Sequence, residues 1–213
     1  MWHEHPAFTW AYEAMGRWEP LFGLDRERRA LVGRLGGRVL EVGAGNGRNL
    51  AHYAPTSKVV AIEPEPHMMR LAQARAGRAL LVRGDAEELP FASGSFDTVV
   101  ACLVLCTIPS PDRALGEICR VLRPGGMLHF LEHIRARGAL LTALQDALDP
   151  VWSRLCGGCH PNRATLDLFE RQGLHIESMR LGRLGLFVRG VAQAVKPTRY
   201  AEPSRWATEA VSR

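Results

Sequence analysis

Three glycines spaced two residues apart follow a short apolar segment near residue 40. The segment, residues 38–42, contains β-branched side chains, and the glycine turn spans residues 43–47. Because glycine has no Cβ, such a turn lets the main chain approach a ligand closely. Open α/β sheets bind ligands at the carboxyl ends of their parallel strands. The turn therefore predicts a ligand site at a strand end, and a turn with a purely structural role is the alternative.

Two carboxylates follow the glycine turn at regular intervals. Glu63 ends the next apolar segment, and Asp85 lies just after the third one. A carboxylate at the first position can accept hydrogen bonds from both hydroxyls of a ribose, and one at the second can accept a hydrogen bond from an adenine amino group. Together they predict a site for an adenosine-containing ligand. Taken alone, Glu63 could be a surface charge and Asp85 a helix cap.

The spacing of the glycines distinguishes two classes of such ligands. Dinucleotides favour Gly-x-Gly-x-x-Gly, in which a helix N-terminus faces the pyrophosphate. Here the third glycine would fall at position 48, which is Arg48, and the observed spacing is Gly-x-Gly-x-Gly. S-adenosylmethionine has no pyrophosphate to bind, so the pattern favours it. A short-chain reductase would also need a Tyr-x-x-x-Lys pair, and none of the three tyrosines is followed by lysine at that spacing.

A second group of residues could act on a substrate beside that ligand. His133 ends the fifth predicted strand, where it could deprotonate an acceptor or could be a histidine with structural hydrogen bonds. Cys106 lies just past the fourth strand and could line the acceptor pocket or pack in the core. Residues 156–160 read Cys-Gly-Gly-Cys-His, which we interpret as a loop over the acceptor site, with His160 as a substrate contact. The second cysteine pair of a structural zinc site is missing, so no metal is predicted.

Apolar segments and helical patterns alternate along the chain and would position these residues. Strands separated by amphipathic helices of 10–12 residues imply a parallel sheet covered on both faces, and two final strands predict a hairpin. The predicted strands cover residues 38–42, 58–62, 79–82, 96–104, 127–134, 175–181 and 186–195. The predicted helices cover residues 49–54, 65–76, 112–122, 139–148 and 163–172.

The two ends of the chain differ from this alternation. Residues 1–35 have a helical, amphipathic pattern, and we interpret them as a lid over the site. Their aromatic side chains could instead pack in the core or rest on a membrane surface. Residues 36–196 form the predicted main domain. The polar tail, residues 197–213, is expected to be loosely ordered.

The composition argues against several other classes of protein. The chain of 213 residues carries a formal net charge of +5, and its scattered basic residues predict no binding of nucleic acid. No run of 18 apolar residues is present, so no membrane-spanning helix is predicted. The start lacks the pattern of a signal peptide. Five cysteines, mostly in apolar stretches, fit reduced thiols and a cytoplasmic location.

Five motifs of the chain occur in the same order in a known family. They are Glu-Val-Gly-Ala-Gly-Asn-Gly, Ile-Glu-Pro, Gly-Asp-Ala-Glu-Glu-Leu-Pro-Phe, Phe-Asp-Thr-Val-Val and Leu-Arg-Pro-Gly-Gly. With these motifs, residues 38–134 resemble the class I S-adenosylmethionine-dependent methyltransferases, in the branch called methyltransferase type 11, near the quinone-biosynthesis C-methyltransferases. Residues 97–133 are also similar to the small thiol methyltransferases. The resemblance implies a Rossmann-like α/β fold with a seven-stranded, mostly parallel sheet, helices on both faces and an N-terminal helical lid.

The resemblance also implies a role for each residue of the site. The three glycines would line the methionine and ribose portions of the cofactor, and Glu63 would hold the ribose. Pro64 and Met68 would lie beside the adenine, which Asp85 and Ala86 would recognise. Leu103 would contribute main chain at the methionine end, and Tyr12 would cover the cofactor. The implied cofactor-binding residues are Tyr12, Gly43, Gly45, Gly47, Glu63, Pro64, Met68, Asp85, Ala86 and Leu103.

The sequence and the resemblance together predict an enzyme that moves the methyl group of S-adenosylmethionine to a small-molecule or lipid-like acceptor. The methyl carbon is already activated, so the main task of the protein is to hold acceptor, methyl and sulfur in line and to exclude water. The acceptor atom stays open among sulfur, nitrogen, oxygen and carbon. The alternative is a non-catalytic module with the same cofactor site, and a nicotinamide-dependent reductase is disfavoured.

Overall fold

A computed structural model of the chain describes residues 12, 13, 16, 23–182 and 185–194. Its centre is a seven-stranded sheet in the order β3-β2-β1-β4-β5-β7-β6. Strands β1 to β5 run parallel, and β7 lies antiparallel between β5 and β6. The strands are β1 Gly37–Val42, β2 Ser57–Glu63, β3 Leu80–Arg83, β4 Phe96–Cys102, β5 Leu122–His133, β6 Leu174–Leu181 and β7 Phe187–Ala194. The prediction of a mostly parallel sheet that ends in a hairpin is confirmed.

Alternate residues of the central strands face two separate layers of the core. Leu40 of β1 belongs to a large apolar cluster that includes helices α3 and α5, whereas Val39 belongs to a second cluster with α1 and α2. This alternation follows from the period of two of a β-strand. The helices are α1 Leu24–Val32, α2 Pro66–Arg75, α3 Pro111–Val121, α4 Ala139–Leu155 and α5 Thr165–Arg171. Both faces of the sheet are thus covered, as predicted.

Three element bounds differ from the sequence prediction for identifiable reasons. The helix predicted at 49–54 is only a 3-10 turn, Leu50–His52, because Pro55 follows closely and cannot continue a helix. Strand β4 ends at Cys102 and not at residue 104, because Leu103 has a positive φ of 55°. Strand β5 begins at Leu122 and contains a bulge. Leu122 pairs with Phe96 and Met127 pairs with Thr98, so more residues of β5 than of β4 lie between these two pairs.

Helix α4 also differs from its prediction, because it continues through Pro150 to Leu155. None of its residues is buried. Its exposed large apolar side chains are Leu140, Leu141, Leu144, Leu148, Val151, Trp152 and Leu155. Their spacing places most of them along one side of the helix. The helix therefore presents an apolar face at the surface of the described part of the chain.

The terminal predictions are only partly covered by the structure. Most of the predicted lid and the whole tail at 197–213 lie outside the described residues. Helix α1, the last part of the predicted lid, buries Leu24, Arg28, Leu31 and Val32, so this part is a layer of the core. In the described residues, no helix is long and apolar enough to cross a bilayer.

Phe169→Ala should destabilise the fold by about 3–5 kcal/mol, the usual loss for a fully buried phenylalanine. The Phe169 ring is completely buried on α5 and meets Phe130 edge to face, with ring centroids 4.8 Å apart. Urea denaturation measures the free energy of unfolding. The control Leu140→Ala removes a residue that is 84% exposed and should change stability by less than about 0.5 kcal/mol. Similar losses in both variants would contradict this assignment of the core.

Candidate cofactor and acceptor site

The three glycines of the turn have positive φ angles, but their surroundings differ. A Cβ on Gly43 would lie 2.2 Å from the side chain of Val104, and one on Gly47 would lie 2.9 Å from the main chain of Ala72. A Cβ on Gly45 would meet no described atom within 4 Å. Gly43 and Gly47 are therefore required for close packing within the protein. Gly45 is the glycine that leaves room for a ligand.

Glu63 is buried at the end of β2 and holds the glycine turn in place. Its Oε2 accepts a hydrogen bond from the N–H of Gly45 at 2.8 Å, and its Oε1 accepts one from the N–H of Glu65 at 3.0 Å. Burial raises the pKa of Glu63 to about 7, although these two N–H groups act in the opposite direction. Each carboxylate oxygen has a second lone pair, so Glu63 can also accept hydrogen bonds from a ribose.

The residues predicted to contact adenine lie at the neighbouring strand ends. Met68 is buried in the first turn of α2, where its N–H donates to the side chain of Glu65, the N-cap, at 2.6 Å. Asp85 follows β3, and its Oδ1 accepts a hydrogen bond from the N–H of Glu87 at 2.9 Å. Ala86 is buried, and Pro64 is half-buried between β2 and α2.

Leu103 is the only described residue other than glycine with a positive φ. Its N–H donates to the carbonyl of Leu131 at 2.7 Å. The next two N–H groups, of Val104 and Leu105, both donate to Oε1 of Glu132 at 3.0 Å. A strained main chain persists only where the surroundings stabilise it, and it is frequent at functional sites. The carboxylate of Glu132 stabilises the turn that presents Leu103.

The support that Glu132 gives to the turn after β4 was not predicted from the sequence. It is completely buried, and burial raises the pKa of its carboxyl to about 7. Within the described part of the chain, its Oε2 has no hydrogen-bond partner. A carboxylate within the mainly apolar second half of β5 was the available signal, but the sequence does not show which loop it supports.

The short described part of the N-terminal segment lies against the glycine turn. Glu13 accepts hydrogen bonds from the side chains of Asn46 and Arg75, and the carbonyl of Gly16 accepts one from Arg48 at 2.7 Å. These contacts place Glu13 and Gly16 beside the turn. Tyr12 is half-buried there, and its role in covering the cofactor stays a prediction. Glu13 was missed because its partners are more than 30 residues away.

A buried polar network supports the turn from the other side. Arg28 of α1 donates to the side-chain oxygen of Asn49 at 3.0 Å and contacts the sulfur of Cys102 at 3.1 Å. The amide of Asn49 in turn donates to Glu41 at 2.8 Å. Burial raises the pKa of Glu41 to about 7. Helix α1 is thereby linked to the segment that follows the glycines.

On the acceptor side, the structure brings together three residues from distant parts of the chain. Nδ1 of His133 lies 3.4 Å from Sγ of Cys106 and 3.8 Å from Sγ of Cys159, and the two sulfurs are 3.4 Å apart. The ring of His133 also contacts Phe187, with ring centroids 4.6 Å apart. Hydrogen bonding with Cys106 and with His133 holds the pKa of the Cys159 thiol below its usual range.

His160 does not join these three residues. Its ring pairs with Asp149 of α4, with Nδ1 and Oδ2 2.9 Å apart. Its main-chain N–H donates to the carbonyl of Cys106 at 2.8 Å. His160 therefore fixes the loop 156–160 against the turn after β4, and its predicted substrate contact stays a prediction. The same loop contributes Cys159, which was not among the predicted site residues.

Comparisons with known proteins agree with this architecture. Residues 40–130 match the family described as a methyltransferase domain. Thiol S-methyltransferase TMT1A of Homo sapiens is 37% identical over 141 residues, which are 62% of this chain and 58% of that protein. Phosphatidylethanolamine N-methyltransferase of Cereibacter sphaeroides is 35% identical over 129 residues, 58% of this chain and 64% of that protein. The chain thus spans less than two thirds of the length of these two relatives.

Among solved structures, a SAM-dependent methyltransferase from Thermotoga maritima superposes with a TM-score of 0.66 and 24% identity, covering 92% of this chain and 100% of the other. This likeness confirms the fold. The match of residues 40–130 to the methyltransferase domain and the identity with named methyltransferases confirm the resemblance stated from the motifs. The family and its SAM-dependent neighbours imply S-adenosylmethionine as the cofactor.

The described residues fit that cofactor. Among the described residues, Gly45 leaves free space at the turn, and its N–H donates a hydrogen bond to the buried carboxylate of Glu63. The strained turn at Leu103 directly follows β4, which pairs with β1, the strand that leads into the glycines. S-adenosylmethionine can use a main chain without side chains and a hydrogen-bond acceptor for its ribose when both lie at adjacent strand ends. The individual contacts predicted for the ten cofactor residues stay predictions.

Gly45→Ala and Gly47→Ala should separate ligand binding from packing. Both glycines have positive φ, which costs an alanine about 1–2 kcal/mol. Only at position 47 does the new methyl group also collide with Ala72, which should add about 1–3 kcal/mol. Thermal denaturation should show the larger loss for Gly47→Ala, while calorimetry should show that folded Gly45→Ala binds S-adenosylmethionine more weakly. Wild-type affinity in Gly45→Ala would remove Gly45 from the site.

Glu63→Gln should weaken binding of S-adenosylmethionine at pH 8 by about 10- to 100-fold, the equivalent of about 1.5–3 kcal/mol for a charged hydrogen bond. The ionised carboxylate is the better acceptor for two hydroxyls, and its pKa is about 7. The affinity of the wild type should therefore decrease as the pH falls through about 7, and part of this dependence should disappear in the variant. Titration calorimetry at several pH values measures both effects.

The matched control is Glu177→Gln, a neutralisation of an exposed glutamate on the edge strand β6. It should leave both the affinity and its pH dependence unchanged. If Glu63→Gln behaved like this control, Glu63 would not hold the ribose.

Proposed function

We propose that the chain transfers the methyl group of S-adenosylmethionine to a small-molecule or lipid-like acceptor. The observation that carries the proposal is the combination of an open Gly45 with a buried Glu63 that accepts its N–H hydrogen bond. When bound, the cofactor supplies a methyl group on a positively charged sulfur. The main contribution of the protein is then to align the reacting atoms.

Each group of the site has a task in this alignment. Glu63 would bind the ribose, and the main chain at Leu103 would contact the methionine end. Glu132 holds Val104 and Leu105, so it fixes the turn between the cofactor and Cys106. Glu13, bound to Asn46 and Arg75, lies beside the glycine turn, where it can help to exclude water.

The residues on the acceptor side favour a thiol as the methyl acceptor. The relative TMT1A is named as a thiol S-methyltransferase, and the trio of Cys106, His133 and Cys159 can receive or stabilise a thiolate. A thiol must lose its proton before or during attack, and a histidine is the usual group to take it. The role of His133 as a general base is part of this proposal.

A lipid-like form of the acceptor has separate support. The relative from Cereibacter sphaeroides is named for a phospholipid substrate. Helix α4 exposes an apolar face and runs directly into the loop that carries Cys159. An apolar acceptor could reach the site along this helix, since apolar surfaces associate in water. Membrane contact through the N-terminal helices and a cytoplasmic location are further proposals, which rest on the aromatic residues of the first 35 positions and on the cysteine usage.

The test is a screen of labelled methyl transfer to thiols, phenols, quinols and lipid amines. Thiols should be methylated fastest, and His133→Asn should lower kcat/KM for them by about 100-fold or more while the affinity for S-adenosylmethionine is kept. The control His175→Asn changes an exposed histidine on β6 and should have no effect. Cofactor binding without turnover on any acceptor would instead identify a non-catalytic binding module.

A further inference from the structure

Cys106, His133 and Cys159, here called the trio, bring three potential metal-ligand atoms close together. Cys106 lies in the turn after β4, His133 is the last residue of β5, and Cys159 lies in the loop after α4. Their three potential ligand atoms lie within 4.8 Å of one another, and both cysteines are buried. Three elements therefore present two sulfurs and one imidazole nitrogen to a common point.

The edges of this triangle match one face of a zinc tetrahedron. With Zn–S near ~2.3 Å and Zn–N near ~2.0 Å, a tetrahedral ion places two sulfurs ~3.8 Å apart and a sulfur and a nitrogen ~3.5 Å apart. The observed separations are 3.4 Å between the sulfurs and 3.4 and 3.8 Å from sulfur to nitrogen. Little movement is needed to admit the ion. Thiolate and imidazole ligands are also the set that zinc prefers.

The ligands are held in place by contacts that do not use the ligand atoms. The N–H of His160 donates to the carbonyl of Cys106 at 2.8 Å, and Arg163 donates to the carbonyl of Ile108 at 2.8 Å. The hydroxyl of Thr165 donates to the carbonyl of His133 at 3.1 Å. Such support from surrounding residues is characteristic of metal sites, because it sets the ligand directions before the ion binds.

The charge around the trio also suits a cation. Glu132 precedes His133, is completely buried and has an oxygen without a partner among the described residues. A buried carboxylate without full hydrogen bonding is costly, and a nearby cation reduces that cost. We propose that Cys106, His133 and Cys159 bind one zinc ion through three protein ligands.

Three protein ligands leave one tetrahedral position open, which is the pattern of catalytic zinc sites. In the part of this proposal that rests on the proposed function, the acceptor thiol occupies the open position. It binds as a thiolate and releases its proton to solvent. Its sulfur then forms a bond to the methyl carbon while the bond from that carbon to the cofactor sulfur breaks, and the neutral thioether product is a weak ligand that can leave. With the ion bound, His133 acts as a ligand, so the role of general base given to His133 above applies only to the chain without metal.

Metal binding can be tested without any methyl transfer. The reduced full chain, freed of metal with a chelator, is mixed with zinc and separately with cobalt(II). We expect one ion per chain by elemental analysis, together with the thiolate-to-cobalt charge-transfer absorption of a tetrahedral site. Cys106→Ser and Cys159→Ser should each weaken zinc binding by more than about 100-fold, because loss of a supporting residue alone costs about 10- to 100-fold.

Two other cysteines provide matched controls. Cys119→Ser changes a half-buried cysteine on α3, and Cys156→Ser changes a buried cysteine next to the trio that is not one of the three ligands. Both should keep wild-type zinc affinity. A reduced wild type that binds no zinc and gives no charge-transfer absorption would overturn the proposal, as would equal losses in Cys156→Ser and Cys159→Ser. Thermal denaturation and cofactor affinity show which variants are folded. If a variant does not fold, the cobalt spectrum of the wild type still shows whether the chain binds a metal ion through thiolates.

The two proposals can fail independently. Methyl transfer to thiols by a chain that binds no zinc would overturn the metal site and leave the proposed function standing. A chain that binds one zinc ion but methylates no thiol would keep the metal site and overturn the role of the ion in accepting the thiol. Full activity after removal of the metal would overturn the same role.

Discussion

Three buried glutamates near the carboxyl ends of the strands shape the loops on which the site depends. Glu41 of β1, Glu63 of β2 and Glu132 of β5 are each at most 6% exposed, and burial raises the pKa of each to about 7. Each accepts a hydrogen bond from the loop beside it. These carboxylates therefore determine the shape of the turns after the strands.

This arrangement reduces stability at neutral pH. The ordinary pKa of a glutamate is 4.5, and in the folded chain these three are raised to about 7. Between these pH values the folded chain retains protons that the unfolded chain releases, so the contribution of each glutamate to the free energy of unfolding falls as the pH rises through this window. The loops of the site are thus preorganised at a cost in stability, as is common where a fold must present polar groups to a ligand.

The two halves of the site are built in different ways. The cofactor half consists mainly of consecutive strand ends and the turns that follow them, and it agrees with the methyltransferase family and its solved neighbours. The proposed acceptor half combines the turn after β4, the end of β5 and a loop after α4. The curated relatives carry names that refer to different acceptors, which fits a common cofactor half joined to a variable acceptor half.

The sequence by itself determined the order of the strands along the chain, the glycine turn and the carboxylates that follow it, because these features depend on local spacing. It did not distinguish the glycines, since only the tertiary structure places Val104 and Ala72 against Gly43 and Gly47 and leaves Gly45 open. It also missed Glu13 and the contacts of Glu132 with the turn after β4, because the partners of both residues are distant in the chain. The grouping of Cys106, His133 and Cys159 arises from the pairing of β4 with β5 and from the loop that returns beside them. Such contacts between residues 26 or more positions apart leave no periodic pattern in the sequence, so only the folded chain reveals them.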